Sequence, residues 1–67
     1  MKTISKQSVY KIARKHGVTD YEFVRRALGV DNTRANDKMI ISVLANLHDE
    51  GSLKVAFRIG DKTSYSA

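Results

Sequence analysis

A chain of 67 residues is expected to form one domain, and at this size folding buries only about 60% of the surface that the unfolded form exposes. The sequence has no cysteine, which excludes disulfides and thiolate metal sites. No apolar run approaches the roughly 20 residues that cross a bilayer, and the N-terminal segment lacks the apolar stretch of a secretory signal. We therefore expect a soluble cytoplasmic protein.

Charge is the most informative feature of the composition. Twelve Lys and Arg residues against seven Asp and Glu residues give a net charge of +5. Residues 1–34 carry eight basic and three acidic side chains, whereas residues 35–67 carry four of each. A basic excess on so small a protein favours a polyanionic partner, most often nucleic acid. The alternative is a lysine-rich face that only maintains solubility.

Two short helices are predicted first, at about residues 5–16 and about residues 20–28. Thr19 and Glu22 have the spacing of a capping box at the start of the second helix. Each helix carries apolar residues at helical spacing. These residues are Val9, Ile12, Ala13 and His16 in the first helix, and Val24, Ala27 and Leu28, with Tyr21 or Phe23, in the second. Gly17 and Gly29 are predicted to end the two helices.

The longest helix is predicted at about residues 35–50, capped by Thr33 or Asn36 and ended by Gly51. Its inner face is formed by Ile40, Val43, Leu44 and Leu47.

A two-stranded hairpin is predicted at about residues 53–66, with a tight turn at residues 60–62. Apolar and basic residues alternate there, so one side should pack on the helices and the other should face solvent or a partner. The apolar side is Leu53, Val55, Phe57 and Ile59, and the basic side is Lys54, Arg58 and Lys62.

The order of three helices and a hairpin, ending in "LHDEGSL…RIGDKTSYS", resembles that of small bacterial winged helix-turn-helix regulators. The resemblance covers essentially the whole chain and implies an α+β fold: a three-helix winged helix-turn-helix with a C-terminal two-stranded β-hairpin wing. It also implies that the third helix enters the DNA major groove while the wing reaches the backbone or minor groove.

A second interpretation stays open within the same family. The segment "SVYKIARKHGVTDYEFVRRAL" itself resembles a helix-turn-helix, with Ala13, Gly17 and Val18 at the usual relative positions. The second helix would then be the recognition helix and would place Arg25 and Arg26 at the DNA.

The candidate DNA-binding residues are basic or polar side chains on each predicted element. Arg and Lys donate to guanine or phosphate, Asn can pair with adenine, and Ser is permissive. The set is Lys11, Arg14, Lys15, Arg25, Arg26, Arg34, Asn36, Lys38, Ser42, Lys54, Arg58 and Lys62. We expect the helix and hairpin cations to form one continuous surface. For each residue the alternative is an ordinary solvated face or an ion pair, such as one between Glu22 and Arg25 or Arg26.

Catalysis is not expected. His16 and His48 are far apart, and the sequence has no metal-ligand spacing, glycine-rich phosphate loop or paired carboxylates. We predict no enzyme activity, no metal and no cofactor.

The sequence therefore favours a small double-stranded DNA-binding protein, either a transcriptional regulator or a DNA-organising factor that would be nucleoid-associated. Two alternatives remain. One is a phage-like module that binds a host protein through Met39, Ile41 and Ala45, and the other is an RNA- or ribosome-binding winged helix. No membrane partner is expected, and the oligomeric state is left open between monomer and homodimer.

Overall fold

A computed structural model describes residues 4–67 and contains three helices and three strands. Three helices followed by a hairpin were predicted, and both are confirmed, but a short first strand was not predicted. In chain order the elements are α1 (Lys6–His16), β1 (Val18–Thr19), α2 (Tyr21–Leu28), α3 (Arg34–Asp49), β2 (Lys54–Ile59) and β3 (Lys62–Ser66).

Each helix begins at a polar side chain that accepts a hydrogen bond from a free backbone amide. Ser5 caps α1, and Thr33 caps α3 by accepting from the Asn36 amide at 3.2 Å. The predicted box of Thr19 and Glu22 is wrong, because Asp20 caps α2 by accepting from the amide of Phe23 at 2.9 Å. Thr19 is instead buried in β1.

Gly17 turns the chain from α1 directly into β1. Its φ of 84° and ψ of −67° lie in a region that residues with a Cβ rarely adopt. Val18 and Thr19 then pair with Ser66 and Tyr65 of β3. The C-terminal strand is thereby attached to the α1–α2 connection.

A single core lies between the three helices and the sheet. The predicted α3 face is confirmed, since Ile40, Leu44 and Leu47 are buried and Val43 is partly buried. The complete set of buried apolar residues is Val9, Ala13, Val24, Leu28, Ile40, Leu44, Leu47 and Leu53. Two members of the predicted inner stripes, His16 and Ala27, are exposed instead.

The sheet is antiparallel, with β3 between β1 and β2. Thr63 and Tyr65 lie on the side that faces α2 and α3, because they line a small cavity with Tyr21, Ile41 and Leu44. Tyr65 also packs against the core. The opposite side of the sheet, the outer face, carries Phe57 and Ile59 of β2 and, at the turn, Lys62 of β3.

The predicted apolar side of the hairpin is wrong beyond Leu53. Leu53 is 1% exposed, whereas Val55 and Phe57 are each 48% exposed and Ile59 is 72% exposed. A β-bulge accounts for Phe57 and Ile59: Val55 pairs with Tyr65, but Phe57 pairs with Ser64, so Ala56 is an extra residue. One extra residue moves every later side chain to the opposite face.

The bulge also divides the predicted basic side of the hairpin. Paired residues of an antiparallel sheet share a face, so Arg58, opposite Thr63, lies on the face that looks toward α3. Lys54, opposite Ser66, lies on the outer face together with Phe57 and Ile59.

Candidate nucleic-acid interface

The outer face of α3 is the first element of the candidate site. Lys38 comes two residues before the buried Ile40, which places it about 160° around the helix from that core position. Arg34, Lys38 and Ser42 are all exposed. Neither cation has a carboxylate within ion-pair distance among residues 4–67. The acidic residue on this face, Asp49, is at the far end of the helix, so the N-terminal half is the positive part.

Arg58 is the second element. The bulge turns it to the side of the sheet that faces α3, and its Nε donates to the carbonyl oxygen of Gly60 at 3.2 Å. Its guanidinium is exposed and has no carboxylate partner within the described chain. We name the set of Arg34, Lys38, Ser42 and Arg58 the α3 surface.

Arg25 does not belong to this surface. It donates to both carboxylate oxygens of Asp37, at 3.0 and 3.3 Å, and its side chain is only 13% exposed. The pair joins α2 to the first turn of α3 and neutralises Asp37, which precedes Lys38 in the sequence. Arg25 is therefore turned toward α3 and is not part of an exposed face of α2.

Arg26 and Lys62 share one carboxylate. Glu22 accepts from Arg26 at 2.9 Å and from Lys62 at 2.6 Å, so the Arg26–Glu22 pair expected from the sequence is confirmed. The hydrogen bond from Lys62 is the main cause that lowers the pKa of Glu22, and it likewise raises the pKa of Lys62. The Lys62 ammonium also lies 5.4 Å from the centre of the Tyr21 ring. This cluster attaches the hairpin to α2.

The cations of α1 lie elsewhere. Lys11 is two residues from both buried residues of α1, Val9 and Ala13, and therefore points away from the core. Because α1 and α3 bury their apolar stripes in the same core, the outer face of each helix points away from that core in its own direction. The cations of α1 and of α3 therefore lie on differently directed helix faces. We name the exposed Lys11, Arg14 and Lys15 the α1 surface.

Two further candidates have other positions. The Asn36 side chain donates to the Asp31 carbonyl oxygen at 2.9 Å and so helps to fix the α2–α3 connection. Lys54 lies on the outer face of the sheet, apart from both surfaces.

Sequence reasoning missed several long-range ion pairs. Arg25 pairs with Asp37, Glu22 with Lys62, and Lys6 with Glu50. The acids carry no sequence signal for these pairings, because the partners belong to different elements. No group of three or more possible metal ligands is present in the part of the chain described. None of its helices has the length and apolarity that a membrane crossing requires.

The element order, with β1 paired to β3 and the hairpin beside α3, defines a compact, winged-helix-like α+β fold. Comparison with protein-family models, with curated proteins and with solved structures gives no match to this chain. Its function therefore has to be argued from its own surfaces.

Proposed function

We propose that this protein binds double-stranded DNA, with α3 in the major groove and the hairpin against the adjacent backbone. The observation that carries the proposal is the α3 surface: three cations without carboxylate partners in the described chain, on an exposed helix face and the hairpin beside it. The nearby acid Asp37 is already neutralised by Arg25.

The shape of α3 suits a groove. Its 16 residues span about 24 Å, and a helix about 10–12 Å wide fits a B-DNA major groove about 12 Å wide. Arg34 and Lys38 lie in its N-terminal half, the part of a recognition helix that contacts base edges. Arg58 would contact a phosphate beside the groove.

The test is a fluorescence-anisotropy titration of a labelled duplex of about 25 base pairs at several salt concentrations between 50 and 200 mM. We compare wild type with the triple variant Arg34→Ala, Lys38→Ala, Arg58→Ala. Each lost phosphate contact lowers the slope of log K against log salt by about 0.9. The variant should therefore lose about 0.9 for Arg58 alone, and about 2.7 where Arg34 and Lys38 also contact phosphates.

The matched control is the triple variant Lys11→Ala, Arg14→Ala, Lys15→Ala, which removes the same charge from the α1 surface. It should bind one duplex with nearly the wild-type slope. Equal losses in both variants would contradict the proposal, because binding would then follow net charge alone. No binding at 50 mM salt would contradict it entirely.

Binding to double-stranded RNA tests whether the protein prefers DNA. Its major groove is deep and narrow and does not admit a helix. We therefore expect weaker binding to an RNA duplex of the same length than to DNA. Enrichment of bound duplexes from a mixed-sequence pool then tests sequence preference. A preferred sequence would indicate a transcriptional regulator, and equal binding to all sequences would indicate a DNA-organising factor.

The exposed apolar residues favour a second candidate, a protein-binding module. Met39 is 52% exposed and Ile41 is 48% exposed, in addition to the three apolar residues of β2. A stoichiometric protein partner recovered after nuclease treatment, and lost in Ile41→Ser, would support this function. Binding to duplex DNA that the α3-surface variant abolishes would support the first.

A further inference from the structure

We infer that the α1 surface is a second duplex-binding site, so that one protein molecule joins two DNA segments. This inference rests on the proposed function, because it requires a first duplex on the α3 surface. The starting observation is that the cations without carboxylate partners do not form one group. Four cations of the described chain are in ion pairs with Asp or Glu: Lys6, Arg25, Arg26 and Lys62.

The cations of the α1 surface are free to bind an anion. Lys11, Arg14 and Lys15 are exposed, and no carboxylate lies within ion-pair distance of them in residues 4–67. The Arg14 guanidinium lies 5.9 Å from the centre of the Tyr10 ring. The same residues line a shallow groove along α1.

The position of this surface implies a second segment rather than a wider footprint of the first. Val9 and Ala13 of α1 and Ile40 and Leu44 of α3 are buried in one core, so the outer faces of the two helices point away from that core in different directions. A duplex centred on the outer face of α3 would therefore not face Lys11. We assign a contact to α1 to another duplex.

The chemistry of the α1 surface fits a phosphate backbone. Lys11 and Lys15 are one helical turn apart, about 6 Å along the axis, which is close to two base-pair steps of one strand, about 6.8 Å. A membrane-binding helix would present large apolar residues outward. Here Val9 and Ala13 face the core, and Gln7 accompanies the cations on the exposed side. These phosphate contacts would contribute affinity but no sequence specificity.

A bead-capture experiment tests the inference. A biotinylated duplex is fixed on streptavidin beads, and a fluorescent duplex of different sequence is added with the 67-residue chain. Wild type should retain the fluorescent duplex on the beads. The α1-surface variant (Lys11→Ala, Arg14→Ala, Lys15→Ala) should bind the fixed duplex but capture none of the second. With three phosphate contacts, the affinity of the α1 surface for the second duplex should fall about 40-fold between 50 and 200 mM salt.

Two further measurements keep the result interpretable. The charge-preserving variant Lys11→Arg, Lys15→Arg should retain capture, and circular dichroism should show that all variants fold. Capture that persists in the α1-surface variant would overturn the inference, because the duplexes would then be joined by self-association of the protein.

The remaining outcomes separate the two proposals. Binding of one duplex without capture by wild type would overturn the second site alone, whereas no binding of either duplex would overturn the proposed function as well. Sedimentation with vesicles containing phosphatidylserine tests whether the α1 surface binds membranes instead. If they sediment wild type but not the α1-surface variant, and no second duplex is captured, the surface is a membrane site and the inference is wrong.

Discussion

Replacing Leu53 by Ala should destabilise the protein far more than replacing Ile59, although both belong to the same apolar repeat of the hairpin. Leu53 precedes the bulge and belongs to the core, with 1% of its surface exposed. Ile59 follows the bulge and is 72% exposed. The comparison therefore tests whether the bulge turns the end of β2 away from the helices.

The expected difference follows from burial. A Leu→Ala change in a packed core costs about 2.7–5 kcal/mol, from lost transfer free energy and the cavity that remains. Full burial of an Ile side chain contributes about 1.5–3 kcal/mol, and only about a quarter of Ile59 is buried, so Ile59→Ala should cost about 0.5 kcal/mol. At about 0.05–0.15 kcal/mol per residue, the free energy of unfolding of the whole domain is only about 3–10 kcal/mol.

The measurement is equilibrium urea unfolding followed by circular dichroism, with the m-value compared between variants to check two-state behaviour. Leu53→Ala should be unfolded or close to its midpoint in dilute buffer, while Ile59→Ala should resemble wild type. Phe57→Ala is a second control on the same outer face. If Ile59→Ala costs as much as Leu53→Ala, the end of the hairpin packs on the helices and the bulge register is wrong.

The ion pairs give three further predictions. Glu22→Gln removes the negative charge shared by Lys62 and Arg26, so duplex affinity should rise and its salt slope should steepen in the anisotropy assay. An unchanged affinity would show that neither cation is near DNA. Since the pKa of Glu22 is lowered from 4.5, its contribution to stability is present above pH 4.5 and disappears as the pH falls through the lower folded-state value. Wild type should therefore lose more stability on acidification than Glu22→Gln, as measured by urea unfolding. Asp37→Asn should cost about 1–2 kcal/mol because it leaves the partly buried Arg25 without a charge partner; a double-mutant cycle with Arg25→Gln should show coupling, and strict additivity would contradict this.

The three helices could be predicted because their signals are local. An apolar stripe of period 3.6 is contained within each helix, and glycine ends it within a few residues. The side chain of Thr33 needs only the amide three residues later to cap α3. The predicted cap of α2 was wrong by one position: Thr19 was predicted, and Asp20 is the cap. Both residue types favour helix starts, and only the pairing of Thr19 with Tyr65 in the sheet distinguishes them.

The strands were harder to predict because their geometry depends on distant partners. β1 has two residues and no periodicity to detect, and it exists through pairing with β3, more than 40 residues later. The alternation of β2 was read without a bulge, and Ala56 carries no glycine or other mark of the extra residue. A single unmarked insertion was enough to exchange the faces of Arg58 and Phe57.

The distribution of charge along the chain differs from the distribution on the folded surface. Residues 35–67 have no net charge, yet Lys38 and Arg58 come from this half. Its acids are partly neutralised across the chain, because Asp37 pairs with Arg25 and Glu50 pairs with Lys6. Both pairs use cations from residues 1–34. They therefore neutralise acids of the second half and leave its cations Lys38 and Arg58 without ion-pair partners in the described chain.

The positive charge of the α1 surface is also retained on folding, because acids of residues 1–34 have other partners. Two of the three acids in residues 1–34 are engaged elsewhere: Asp20 caps α2 and Glu22 pairs with Lys62, and neither forms an ion pair with Lys11 or Arg14. Two positive surfaces therefore arise from one excess of five charges. If the two surfaces bind separate duplexes, the salt slope of single-duplex binding must be smaller than the total number of free cations implies, because only one surface then contacts each duplex.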